Sequence, residues 1–183
     1  MTRALYLIGP PGVGKTSVVD GLLDRYERML PGPLRGLLRG EALQSLGSGE
    51  IVGVHLGYRR HTFGGTDVLG MAVQPDAIRW VEEGLLPLRL IGEGQRLGNA
   101  PFLTVLAKHA DLTVIHLSAA SAILDARCAA RGSQQSESWR KGAATRALRT
   151  ADRLEAAGVH VVDVAADRPL PEVVARVRDE SGW

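Results

Sequence analysis

Apolar residues in this chain fall into short runs separated by polar or glycine-rich stretches, and their spacing alternates between continuous and helical. Ala4-Leu5-Tyr6-Leu7-Ile8 is apolar at every position and too short for a stable helix, so it predicts a strand buried on both faces. After a glycine-rich octapeptide, Val18, Val19, Leu22, Leu23 and Tyr26 recur at helical spacing and predict an amphipathic helix. Pro31-Gly32-Pro33 breaks the pattern, and residues 34–49, rich in glycine and leucine, read as irregular or weakly helical. A second strand is predicted over 51–56 and a polar, glycine-rich loop over 58–70. A helix over 75–84 follows, with Pro75 near its start and Gly84 at its end, then a third strand over 86–91. Asn99 is placed to cap a helix over 101–109, and a fourth strand covers 112–117. Ser118 is the expected cap of a helix running to about residue 131. Beyond a polar segment at 132–138 come a basic helix over 139–157, a fifth strand over 159–164 and a closing helix over 171–179. Strands alternating with helices predict one α/β domain over 1–183, with a five-stranded parallel sheet and helices on both faces. Such sheets bind ligands beyond the C-terminal ends of their strands.

The first strand end carries the most specific signal. Gly9-Pro10-Pro11-Gly12-Val13-Gly14-Lys15-Thr16 fits G-x-x-x-x-G-K-[ST], a phosphate-binding loop, and sits between strand and helix as that motif requires. Glycines let backbone N–H groups converge on phosphate oxygens, and the helix start adds positive potential there. Gly9, Pro10, Pro11, Gly12, Val13, Gly14, Lys15, Thr16 and the adjoining Ser17 form the expected cradle. Lys15 would meet the β- and γ-phosphates, and the Thr16 hydroxyl would ligate Mg²⁺. The chain has three lysines against nineteen arginines, so a lysine at the motif's fixed place is hard to ascribe to chance.

The other strand ends supply candidate acid, base and cation groups. Asp67, in the loop after the second strand, is either the carboxylate that orients or deprotonates an acceptor hydroxyl or a turn residue. Arg59, Arg60 and His61 either neutralise an anionic acceptor or form a solvated charged run. Glu93 follows the third strand between two glycines, as a Mg²⁺-holding carboxylate would, and Arg96 is a candidate for acceptor phosphate or a surface ion pair. Arg127 and Arg131 share one helical face. With Arg140, Lys141, Arg146 and Arg149 they suggest a basic lid at about 132–140 that closes over phosphates, Arg131 stabilising the charge that develops during transfer. Trp139 would cover a base or ribose, or anchor the core. The acceptor loop is expected over about 57–70.

Composition changes the picture little. Hydrophobic residues at 45% and charged residues at 23% fit a folded domain, and no apolar stretch is long enough to span a membrane. The single Cys128 excludes an internal disulfide and a cysteine-rich zinc site, which fits a reducing cytoplasm. A strand beginning at once leaves no room for a signal peptide. Net charge is only +2, so the positions of the arginines carry more information than their number.

The phosphate loop near the N-terminus, five strands, and Arg127-x-x-x-Arg131 before a polar lid resemble the nucleotide and nucleoside kinases of the P-loop class. Gly65-Thr66-Asp67-Val68-Leu69-Gly70-Met71, Gly92-Glu93-Gly94-Gln95-Arg96-Leu97 and Arg131-Gly132-Ser133-Gln134-Gln135 are similar to bacteriophage kinases that phosphorylate 5-hydroxymethyluracil within DNA. That resemblance implies ATP as donor, a base hydroxymethyl as acceptor, DNA as partner and a host cytoplasmic setting. Glu93 with Arg96 replaces the Asp-Arg pair seen in many nucleoside monophosphate kinases. A nucleoside or nucleoside monophosphate kinase is the alternative. A nucleotide-driven ATPase switch is the alternative of another class, although the Asn-Lys-x-Asp of GTPases is missing.

Overall fold

The continuous apolar run becomes the central strand β1 (Thr2–Ile8) in the computed structural model, which describes residues 1–59, 64–132 and 135–183. There follow α1 (Lys15–Leu22), β2 (Tyr26–Arg28), β3 (Gly32–Arg35), β4 (Leu38–Ser45), β5 (Ile51–Leu56) and a 3₁₀ turn (Gly65–Val68). Next come α2 (Val73–Glu82), β6 (Arg89–Glu93), α3 (Ala100–His109), β7 (Ala110–Ser118) and α4 (Ser121–Ala130). The chain closes with α5 (Glu137–Ala156), β8 (His160–Ala165) and α6 (Leu170–Ser181).

The strands form one sheet in the order β2-β4-β5-β6-β1-β7-β8, with β3 also paired to β4. β5, β6, β1, β7 and β8 run parallel, and they are the five strands expected from the sequence. The expected five-stranded parallel sheet is nevertheless wrong as a whole: the sheet is mixed and has eight strands, because β2, β3 and β4 extend it antiparallel. Residues 34–49, read as irregular or weakly helical, supply most of that extension. Tyr26, placed on the first helix, instead opens β2, since α1 stops at Leu22.

Alternation along β1 divides the core. Ala4, Tyr6 and Ile8 face one cluster with Trp80, Phe102 and Leu154, from α2, α3 and α5. Leu5 and Leu7 face the other, with Val18, Val19, Leu22, Val173 and Val177 from α1 and α6. Helices thus cover both faces, and the loops after β1, β5, β6 and β7 share one sheet edge. The antiparallel extension carries charge inward: buried Glu41 of β4 accepts a hydrogen bond from His55 Nδ1 of β5 at 2.9 Å, and half-buried Arg28 of β2 bonds Asp20 of α1 at 2.5 Å. No described helix is long and apolar enough to cross a membrane.

Candidate active site

The loop after β1 is shaped by its glycines. Gly14 caps α1 from the left-handed region, at φ 99°. Gly12 lies at φ 84°, and a Cβ there would sit 2.9 Å from Cys128 Sγ and 3.0 Å from the Leu124 carbonyl, so α4 packs where no side chain fits. Lys15 is buried along this loop, donating to the carbonyls of Gly9 at 3.0 Å and Pro10 at 3.1 Å. Burial lowers its pKa, opposed by the carboxylates of Glu93 and Asp67 and reinforced by Arg131. An ammonium carries three N–H groups, and two are used here.

Thr16, the second residue of α1, donates its hydroxyl to Glu93 Oε1 at 2.7 Å. Glu93 is the last residue of β6 and is 2% exposed. Burial raises its pKa, while Lys15 and the Thr16 bond hold it down. A hydroxyl and a carboxylate this close suit a hard cation. Among the described residues no cluster of three or more His, Cys, Asp or Glu side chains stands ready to cage a metal. Mg²⁺ in nucleotide enzymes keeps waters and takes phosphate oxygens beside one or two protein ligands, so Thr16 and Glu93 fit it.

Asp67, on the 3₁₀ turn, directs Oδ1 at the backbone N–H groups of Gln95 (2.6 Å) and Arg96 (3.2 Å). Oδ2 has no hydrogen-bond partner among the described residues. The turn is fixed from below by Tyr6, whose hydroxyl lies 2.9 Å from Thr66 Oγ1 and donates to the Gly94 carbonyl at 3.1 Å. Thr66 in turn donates to the Glu93 carbonyl at 2.9 Å. Desolvation pushes the Tyr6 phenol well above its ordinary pKa, keeping it neutral. Tyr6 and Thr66 therefore align both carboxylates, and nothing in their sequence context distinguishes them from core residues.

The cations are placed unequally. Arg59 pairs with Asp20 at 2.6 Å, and the Arg96 guanidinium turns to the Met71 sulfur. Arg127 donates to the carbonyls of Val13 (3.3 Å) and Ala166 (3.0 Å), joining the phosphate loop to the segment after β8. Arg131 is exposed at the end of α4. Arg60 and His61 lie outside the described residues, as do Ser133 and Gln134 of the expected lid. Trp139 is 40% exposed, with the Arg146 guanidinium 6.0 Å from its ring centre.

Two cavities flank the loop. One, of about 310 Å³, opens beside Gly9 and Lys15 and is walled by Gly94, Gln95, Asn99 and one face of α5. The other, of about 370 Å³, lies against Gly12, Gly14 and Ser17, with Arg127, Arg131 and Arg168 around it. Thr150, Arg153 and Arg168 were not singled out in the sequence, where Asn99 was read only as a helix cap and Gln95 only as part of a longer motif. Only the helical spacing of Arg146, Arg149 and Arg153 offered a signal, since such residues share one face.

A family model described as P-loop Nucleotide Kinase3 matches residues 1–177. No curated protein matches the chain. Among solved structures, a gluconokinase from Sinorhizobium meliloti 1021 is 14% identical, with a TM-score of 0.51 over 100% of this chain and 94% of that one. A sugar kinase from Janibacter sp. HTCC2649 is also 14% identical, with a TM-score of 0.48 over 98% and 94%. At such identity the gluconokinase shares the fold alone. The family match runs from β1 into α6 and includes the phosphate loop, so the chain belongs to the P-loop Nucleotide Kinase3 family and is a nucleotide-binding phosphotransferase of the P-loop kinase kind.

Proposed function

We propose that this kinase transfers the γ-phosphoryl group of ATP, with Mg²⁺, to a hydroxyl of a nucleobase or nucleotide, and that 5-hydroxymethyluracil in DNA is its acceptor. The observation that carries the transferase reading is the pair of cavities meeting at one loop. A hydrolytic switch needs one nucleotide site, whereas a transferase needs a donor site and an acceptor site. In this reading the donor nucleoside occupies the cavity beside Arg127 and Arg131, its phosphates lie in the loop, and the acceptor enters beside Lys15. The hydroxymethyluracil assignment draws on the sequence similarity around Gly65–Val68, Gly92-Glu93-Gly94 and Arg131-Gly132.

Each side chain then has a defined task. Lys15 follows the γ-phosphate and spreads its charge. Thr16 and Glu93 would hold Mg²⁺, which neutralises charge on phosphate oxygens. Asp67, held at Oδ1 by two amides, offers Oδ2 to the acceptor hydroxyl. The acceptor oxygen bonds to phosphorus as the bond to the β,γ-bridging oxygen breaks. The hydroxyl proton passes to Asp67 and ADP leaves. Arg131 and the lid over about 132–140 approach the transferring group, while the loop over about 57–70, including Arg59, Arg60 and His61, borders the acceptor. Arg96 stands at that border too.

The test is label from γ-labelled ATP on paired oligonucleotides, one with 5-hydroxymethyluracil and one with thymine. Label on the first alone supports the proposal, and equal labelling of both removes the base hydroxymethyl as acceptor. The position of the 310 Å³ cavity beneath α5 favours a small acceptor as the second reading. Efficient labelling of a free nucleoside monophosphate, with both DNAs inert, would select it.

A further inference from the structure

The loop after β5 rests on α1 at both of its described ends. At its entry Gly57 lies at φ 78°, where a Cβ would collide with the Gly65 carbonyl, and the Tyr58 N–H donates to that carbonyl at 3.3 Å. Residues 57, 58 and 65 thus form a neck that joins the end of β5 to the turn carrying Asp67. Just beyond the neck, Arg59 Nη1 donates to Asp20 Oδ2 at 2.6 Å. On the returning side Gly64 packs against the metal-side pair: a Cβ there would lie 2.7 Å from Thr16 Cγ2 and 3.1 Å from Glu93 Oε1. Thr16 and Asp20 are i and i+4 on α1, so one face of that helix seats both ends of the loop. Asp20 is itself braced. Its Oδ1 accepts from Arg28 Nη2 of β2 at 2.5 Å, Arg28 Nη1 lies 3.9 Å from Glu41 Oε2 of β4, and Glu41 accepts from His55 of β5. Each oxygen of Asp20 therefore serves a different arginine, and the carboxylate joins three segments instead of closing one pair. The Arg59 side chain is 61% exposed, and pairs this open contribute little to stability. The bridge bears on where the loop lies more than on whether the chain folds.

Resting on the transferase reading above, we infer that Asp20 is a positioning residue: through Arg59 it sets the acceptor loop against the helix that carries Lys15 and Thr16. It thereby fixes the acceptor hydroxyl relative to the γ-phosphate while touching neither. Transfer needs the attacking oxygen in line and within about 3–3.5 Å of phosphorus, and small displacements are costly. Asp67 stands two residues past the neck, so a shift of the neck carries Asp67 and the acceptor with it. The donor, held by the phosphate loop at the other end of the same helix start, stays in place. Losing the bridge then parts acceptor from donor and leaves ATP binding intact. Water takes the place of a misplaced hydroxyl: its oxygen bonds to phosphorus as the bond to the β,γ-bridging oxygen breaks, giving ADP and inorganic phosphate. The signature of a lost Asp20 is transfer leaking into hydrolysis.

The test compares the full chain as wild type, Asp20→Asn, Arg59→Gln and the double variant. Asparagine keeps one acceptor oxygen, so one arginine loses its partner, and exposed Arg59 tolerates glutamine; circular dichroism checks the fold. Amide hydrogen exchange over residues 64–69, without any ligand, reads the seating of the loop independently of the acceptor. Label from γ-labelled ATP, on 5-hydroxymethyluracil DNA against free phosphate, reads the coupling. Exchange over 64–69 should quicken by about three- to tenfold in each single variant, with β8 at the far edge of the sheet unchanged. The kcat/KM for acceptor should fall by about tenfold, with a larger share of label released as phosphate and affinity for a non-hydrolysable ATP analogue nearly unchanged. The double variant should be no worse than Asp20→Asn alone, because both substitutions break one contact. Additive losses would mean that Arg59 meets the acceptor independently of Asp20, and faster transfer in Asp20→Asn would mean that the pair holds Arg59 back; either overturns the inference, as do unchanged exchange and coupling. If wild type labels no acceptor of any kind, the transferase reading fails, and exchange over 64–69 alone decides whether Asp20 seats the loop.

Discussion

Three side chains carry opposing demands. Lys15 is a buried cation whose pKa burial lowers, and it bonds only carbonyls of its own loop. Lys15→Ala loses two hydrogen bonds but also a poorly solvated charge, so thermal stability should move little. Transfer should fall by about 10² or more, since the stabilising charge at the γ-phosphate is gone. Label transfer beside a thermal melt checks both. Glu93 shows the same tension in a carboxylate. Burial raises its pKa, so the folded state favours the protonated form, and the stability it contributes at acid pH is lost as pH rises through that raised value. Metal holding needs the ionised form, so the acid limb of activity should lie above the ordinary glutamate range. Glu93→Gln keeps the acceptor for Thr16 and removes the buried charge. Its melting temperature at neutral pH should equal or exceed wild type, the difference vanishing in acid, while transfer falls by about 10². A melting temperature well below wild type at neutral pH would show that the charge is satisfied in the fold. For Asp67, Asn retains Oδ1 for the two amides but loses the proton acceptor. Transfer should drop by about 10²–10⁴ with ATP affinity nearly unchanged, read from single-turnover rates and nucleotide titration.

Elements that form from local pattern were legible, and elements that depend on distant partners were not. The strand, glycine loop and helix at the start are local, and so is the cap at Asn99, whose side chain accepts from Phe102 N at 3.2 Å. The Ser118 cap failed because β7 runs on through Ser118 and α4 starts at Ser121 behind Ala120. The β3–β4 hairpin was missed because its buried positions include Gly40 and Glu41. Glu41 is tolerable inside only because His55 and Arg28, distant in sequence, come to it. The third strand was expected over 86–91 but runs from Arg89 to Glu93, so Glu93 belongs to the strand itself. Gly92 allows this, since a Cβ there would lie 2.5 Å from the Tyr6 ring. Tyr6 thus couples the central strand to the site. Tyr6→Phe strips hydrogen bonds from Thr66 and Gly94 in a dry interior, at a cost of about 1–3 kcal/mol. Denaturant unfolding should report that loss, together with a lower transfer rate as the turn bearing Asp67 loosens. Unchanged stability and rate would reduce Tyr6 to a packing residue.

Across the whole molecule, the fold class followed from the order of strands and helices, and the phosphate loop marked the functional edge of the sheet. The cavities were not legible, because each gathers residues from segments far apart: the loop after β1, the end of β6 and the middle of α5 for one, and α4 with the segment after β8 for the other. Family membership makes the chain a P-loop kinase, and the paired cavities make acceptor transfer, rather than hydrolysis alone, the central claim. The most direct measurement follows γ-labelled ATP in the presence of Mg²⁺ with, in turn, no acceptor, nucleosides, nucleoside monophosphates, thymine DNA and 5-hydroxymethyluracil DNA, separating label on acceptor from label released as phosphate. The account predicts acceptor-bound label in an amount matching the ADP formed, strongest with hydroxymethyluracil DNA and lost in Lys15→Ala. ATP consumed at one constant rate with every addition, with all label released as free phosphate, would contradict it and make the protein a nucleotide-hydrolysing switch.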